Sequence, residues 1–174
     1  MSSWVRGIAT VGVKGFTPEF LREGIRRRLT LLTSLFCPEE KEEAEVVLRR
    51  LKIRDVSEPG GNLVWLLHYR EEPDQFIRLE RWQDADAVRD EAEELMEFIE
   101  DHSGPGADQV RTVLQNAKES VALALTVSDL TSMGWPLAIA AAACFAEAGG
   151  ELLQADGSGW MRPVGPKVEQ LLEE

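Results

Sequence analysis

"SVALALTVSDLTSMGWPLAIAAAACFAEAGG", Ser120 to Gly150, is the stretch whose reading decides the fold. Its opening segment, Ser120 to Val127, is a short apolar run with β-branched positions, the pattern of a buried strand. The segment "PLAIAAAACFAEA" then carries small apolar residues on nearly every side. That predicts a helix buried all round and packed closely against a sheet. Gly149 and Gly150 end it as a helix C-cap does. A strand and a helix of this kind belong to the interior, so the flanking segments must supply the rest of the sheet and its cover.

Downstream, "ELLQ", the turn "ADGSG" and "WMRP" predict a short hairpin, and "GPKVEQLLEE" predicts a closing helix. At the N-terminus, "GIATVGVKGF" (Gly7 to Phe16) reads as the first strand. Thr17 then caps a helix with Pro18 at its first position, and Phe20, Leu21, Ile25, Leu29, Leu32 and Phe36 recur at helical spacing. "CPEE" predicts a helix restarting at Pro38 and running through Ala44, Val47, Leu48 and Leu51. "KIRDV" and "LVWLLHYR" flank the turn-rich "SEPGGN" as a hairpin would, and "FIRLERW" (Phe76 to Trp82) adds a third strand. A helix over "DQVRTVLQNA" leads into the Ser120 strand. The expected class is α+β, one domain over residues 1–174. It has an antiparallel or mixed sheet with helices packed on one or both faces. "SGPGA", residues 103–107, is a candidate subdomain break.

The bulk composition fits a globular chain: 174 residues, 44% hydrophobic and 29% charged, with five Trp and six Phe to build a core. Such a chain folds without disulfides or metal, and Cys37 and Cys144, in apolar surroundings, read as buried free thiols. The N-terminus lacks a charged start followed by an apolar run, and the longest apolar run, Trp135 to Ala146, is too short to span a bilayer. A soluble cytoplasmic protein with no membrane partner is expected. The net charge of −12 argues against nucleic-acid binding, which needs clustered Lys and Arg. The charge is uneven: residues 1–36 hold six basic and two acidic side chains, whereas residues 71–101 hold thirteen acidic and three basic. Such asymmetry speaks to association and steering.

No catalytic constellation emerges. His68, within a strand, reads as structural, and His102 reads as a cation closing the acidic helix. Neither belongs to a metal-ligand spacing, so no metal or cofactor is expected. Ser158 in "ADGSGW" sits at a hairpin tip and not on a nucleophile elbow. The glycine loops lack a phosphate-binding pattern. Asp129, just after the central strand, reads first as a helix cap and second as the one acid placed where open sheets hold functional side chains.

"DEAEELMEFIED", Asp90 to Asp101, is seven parts acid in twelve. On a helix from Asp84 to His102, Val88, Ala92, Leu95 and Ile99 form one buried stripe, while Asp86, Asp90, Glu93 and Glu97 repeat the same spacing on another face, with Glu94 beside them. Like charges at i, i+4 destabilise a helix, so the face reads either as solvation or as a docking surface for a basic protein. Arg26, Arg27 and Arg28 form the opposite pole and are expected to pair with this helix or with that of a second copy. Trp82 and Trp160 are the candidate aromatic anchors.

In the C-terminal third, the Trp-bearing "MGWPLAIA", the helix ending in "AEAGGELLQ" and the turn "ADGSGWM" together resemble the closing half of small acidic bacterial immunity proteins of polymorphic or contact-dependent toxin systems. The matching positions are Gly149, Gly150, Asp156, Gly157, Gly159 and Trp160. They shape the fold and carry over no toxin-contacting residue. The resemblance implies an acidic inhibitor of a basic toxin. Asp86, Asp90, Glu93, Glu94 and Glu97 would stand in for phosphates, and Trp82 and Trp160 would be the anchors. Two other readings compete: a small-molecule regulator or enzyme with a pocket near Asp129, and a self-associating structural subunit.

Overall fold

The computed structural model describes residues 2–40 and 42–174. The strands are β1 (Ser3–Ala9), β2 (Lys52–Asp55), β3 (Leu63–His68), β4 (Ile77–Trp82), β5 (Glu119–Leu125), β6 (Leu152–Ala155), β7 (Gly159–Val164) and β8 (Lys167–Leu172). They pair antiparallel in a single sheet of order β2-β3-β4-β5-β1-β6-β7-β8. The helices are α1 (Pro18–Phe36), α2 (Ala44–Arg50), α3 (Ala85–Glu97), α4 (Pro105–Gln115), the single turn α5 (Val127–Leu130) and α6 (Gly134–Gly149). The class is therefore α+β in one domain, as expected. Within the segment 103–107 α4 starts at Pro105, and β4 and β5, on either side of it in the sequence, pair in the same sheet.

β5 is central and buried on both faces, which explains its continuous apolar run. Against one face lie α1 and α6. There Val5, Leu79, Leu123, Leu153 and Met161 meet Leu21, Ile25 and Leu29 of α1 and the alanines of α6 in the main core. The small residues of α6 let its backbone approach the sheet. A Cβ on Gly7 of β1 would lie 2.9 Å from the Ala142 carbonyl oxygen. Gly24 of α1 likewise gives way to Cys144, whose sulfur occupies the space a side chain there would need.

The other face carries a smaller core. Ile8, Leu152 and Trp160 from the sheet meet Ala92, Leu95 and Ile99 of the acidic segment and Val110 and Leu114 of α4. Burying each such large aliphatic side chain contributes about 1.5–3 kcal/mol.

Three expectations change. The first strand is Ser3–Ala9 and not Gly7 to Phe16. Its alternation puts Trp4, Arg6 and Ile8 on one face and Val5, Gly7 and Ala9 on the other. The chain leaves the sheet where the amides of Thr10 and Val11 donate to the Gly149 carbonyl at 2.7 and 3.1 Å. The helix expected from Pro38 begins only at Ala44, after a turn in which the Glu40 amide donates to the Cys37 carbonyl at 3.0 Å.

The closing helix is instead β8. Val164 pairs with Lys167 across a two-residue loop whose Gly165 has φ +59°, a hairpin geometry that glycine favours. Gln170 then bridges the carbonyls of Ser158 and Leu172, at 2.7 and 2.8 Å, where the register shifts. Pairing with β7 overrides the helical composition of "VEQLLEE". Of the two thiols, Cys144 is buried and Cys37 only half-buried, and both are free.

Candidate docking face

Asp84 starts α3 by accepting the Ala87 amide at 2.9 Å. Val88, Ala92 and Leu95 are buried, with Ile99 just beyond, so the expected stripe is core. That phase fixes the rest: Asp86, Asp90, Glu93, Glu94 and Glu97 are all exposed. Asp86 pairs with Arg89 at 2.9 Å. The other four make no hydrogen bond or ion pair among the described residues.

α3 ends at Glu97 and not at His102. The carbonyls beyond it are held by Arg111 of α4, which donates to Ile99 at 2.9 Å and also to His102. Arg111 is therefore the cation that closes this helix end, and His102 is not. The Nδ1 of His102 is itself buried without a partner among the described residues.

The arginines of α1 do not cover this face. They lie across the sheet, where Arg26 meets Glu23 at 3.6 Å and Arg27 meets Glu147 at 4.0 Å. Arg28 is buried, bonded to Glu147 and, at 3.0 Å, to the Gly24 carbonyl. Burial pulls the Arg28 pKa below its ordinary value. Pairing of Arg26, Arg27 and Arg28 with the protein's own acidic helix is thus ruled out by the topology.

The two candidate anchors part company. Trp160 is 3% exposed and belongs to the smaller core, so it cannot serve as an exposed anchor. Trp82 is half-buried on the outer face of β4 and forms one wall of a groove of about 290 Å³. Trp4 of β1 forms another wall, Ala122 of β5 lies at the floor, and Asp90, Glu91 and Glu94 stand on the α3 side. One small side chain explains the gap: Glu80, Ala122 and Arg6 are neighbours across β4, β5 and β1, and the alanine leaves room between the outer two.

Arg6 holds the groove together. Its guanidinium donates to Glu91 at 3.2 Å, Gln154 at 2.7 Å and Asp156 at 3.2 Å, and lies 5.7 Å from the centre of the Trp4 ring. Glu91 also accepts from Ser120 at 2.7 Å, which ties α3 to β5. On the far side of Arg6 a cavity of about 450 Å³ is lined by Phe98, His102, Asp156 and Trp160 among others. Phe98 at its margin is 69% exposed. Sequence reasoning missed Trp4, Arg6 and Glu91. The signal was the alternation in "SWVRGIA", which places Trp4, Arg6 and Ile8 on one face.

Asp129 is engaged elsewhere. Its carboxylate accepts Tyr69 Oη at 2.5 Å and both the amide and hydroxyl of Thr126 at 2.8 Å, with Arg70 at 3.6 Å. The capping box with Thr126 is its cap role realised. Burial, and then the Asp129 hydrogen bond, push the Tyr69 pKa up. This clasp engages both carboxylate oxygens and ties Tyr69 to the turn after β5. The His68 ring lies 5.3 Å from that of Phe76 in a tilted arrangement, and burial followed by the charge of Arg54 lowers its pKa. Ser158 sits in the β6–β7 turn, its amide donating to the Ala155 carbonyl at 2.9 Å.

No protein-family model, curated protein or solved structure matches this chain. Among the described residues, no helix is long and apolar enough to cross a membrane.

Proposed function

We propose that this protein is a non-catalytic, cytoplasmic protein-binding module: an acidic immunity-type inhibitor that covers the basic surface of a cognate toxin. The observation that carries the reading is the unpartnered state of Asp90, Glu93, Glu94 and Glu97 on the exposed side of a helix that is firmly held from below. A solvated face in an ordinary protein is laced with lysines. The helix itself carries one basic residue, Arg89, already paired with Asp86, and Arg111 of α4, beside Glu93 and Glu97, is bonded to Asp108 and to backbone carbonyls.

The carboxylates act where a nucleic-acid phosphate would sit on the toxin. Exposed ion pairs contribute only about 0.2–1 kcal/mol each. The face therefore supplies encounter rate and orientation, and Trp82 and Phe98 at its margins supply the apolar contact. Nucleic acid, which carries the same sign of charge, is not a partner.

Capture from the native organism's lysate at low salt tests this, with an Asp90→Lys/Glu93→Lys/Glu94→Lys/Glu97→Lys variant alongside. These side chains bond to nothing among the described residues, so the variant is expected to keep the fold, which circular dichroism checks. The reading expects one basic protein bound by the wild type and lost with the variant. Equal capture by a folded variant would remove it.

A further inference from the structure

The groove between Trp4 and Trp82 has its own chemistry, distinct from that of the open acidic face. Its walls are two indoles carried by β1 and β4, its floor is Ala122, and Asp90 and Glu94 stand at its rim. The charge does not balance within the chain. Among the described residues Arg6 is the only cation lining the groove, and its Nε and Nη1 are already bonded to Glu91, Gln154 and Asp156. Glu91 and Asp156 therefore answer Arg6, and Asp90 and Glu94 are left in excess.

The Trp4 ring already has a guanidinium over it, that of Arg6, at 5.7 Å. Among the described residues no cation lies over the Trp82 ring. An indole face beside two unanswered carboxylates attracts a cation by ring quadrupole and charge together. A guanidinium suits it well, because it stacks flat on an aromatic ring while forking toward carboxylates. An anion would meet Asp90 and Glu94 first, and the one arginine present is already bonded.

We infer that this groove seats a single arginine side chain of the protein partner, between Trp82 and the carboxylates of Asp90 and Glu94. The inference deepens the docking reading and rests on it for the source of the side chain. It assigns separate tasks to neighbouring acids. Glu93 and Glu97, outside the groove, act at a distance on approach, whereas Asp90 and Glu94 contact the bound guanidinium.

The test needs no partner. An acetyl-Gly-Arg-Gly-amide peptide is titrated into ¹⁵N-labelled protein, with the citrulline peptide of the same length as the uncharged match. The five indole N–H signals are followed by NMR, each assigned by single Trp→Phe substitution. The inference expects the Trp4 and Trp82 signals to move with the arginine peptide and the buried Trp65, Trp135 and Trp160 signals to stay. The citrulline peptide should leave all five in place.

The Asp90→Asn/Glu94→Gln variant should bind the arginine peptide about tenfold more weakly, from a few-fold loss at each neutralised carboxylate. Stationary Trp4 and Trp82 signals, or equal movement with citrulline, would overturn the inference. Because the capture experiment is read independently, the groove can fail while the docking face stands, and a groove that binds arginine is not rescued or sunk by an empty lysate.

Discussion

Arg6 is the residue that holds the candidate docking face together. It is one-sixth exposed and holds Glu91 of α3, Gln154 of β6 and Asp156 of the following turn in place. Arg6→Leu strands Glu91 and Asp156 in a half-buried site, and about 1–3 kcal/mol of stability should be lost. Urea denaturation of Arg6→Leu and Arg6→Leu/Glu91→Leu measures it. Recovery of part of the loss in the double variant is the expected result, and equal loss in both would mean that the pair is not coupled.

Cys144 gives a second residue-scale prediction. Burial raises its thiol pKa from 9.0 to about 11, against the pull of Arg28 and Arg27. The folded protein then binds that proton more tightly than the unfolded chain. The contribution is complete below pH 9 and is lost as pH rises toward 11, on the order of 2 kcal/mol. Cys144→Ala should lose less stability than the wild type between pH 8 and pH 11, as read by denaturation at each pH. An identical loss in both proteins would show that the thiol is not the titrating group.

Glu151 sits at φ +63° directly after the α6 cap, a conformation that costs a side chain about 1 kcal/mol. Glu151→Gly should therefore raise the melting temperature by a few degrees. A lowered one would contradict the strain.

Among the elements, α3 was the most legible from sequence, because a buried stripe at helical spacing leaves the acids only one side to occupy. Its C-terminal end was not. The turns after Glu97 are set by Arg111 from another helix, and no local signal announces a partner so distant in the chain. β8 was misread for a related reason: "VEQLLEE" is good helix material, and only the edge of β7 makes it a strand.

The short loop before β8 carries the decisive residue. Gly165→Ala, at φ +59°, should cost about 1 kcal/mol and loosen the hairpin. Amide exchange should report faster opening of β8, with β5 unchanged; equal protection throughout would argue against a strand held by that turn. The candidate site was half legible. Trp82, Asp90 and Glu94 stand on elements read correctly. Trp4, Arg6 and Glu91 required the true bounds of β1 and the register that sets Arg6 opposite Ala122.

At the scale of the whole molecule, the sheet separates two charge regimes. The arginine-rich α1 packs on one face and answers its charge with Glu23 and Glu147. The acidic α3 packs on the other face, and among the described residues the one ion pair its outer carboxylates make is Asp86 with Arg89. Among the described residues, folding thus leaves Asp90, Glu93, Glu94 and Glu97 without partners on one side of the sheet, and the proposed basic partner rests on that.

The association rate of the purified protein with its captured basic partner, followed by stopped flow from about 20 to 500 mM salt, tests that claim most directly. A docking face predicts a rate that falls by roughly tenfold or more across the range while dissociation changes little, with the slope flattened in the Asp90→Lys/Glu93→Lys/Glu94→Lys/Glu97→Lys variant. A rate indifferent to salt would mean that α3 carries its charge for solvation and that the partner, if any, binds elsewhere.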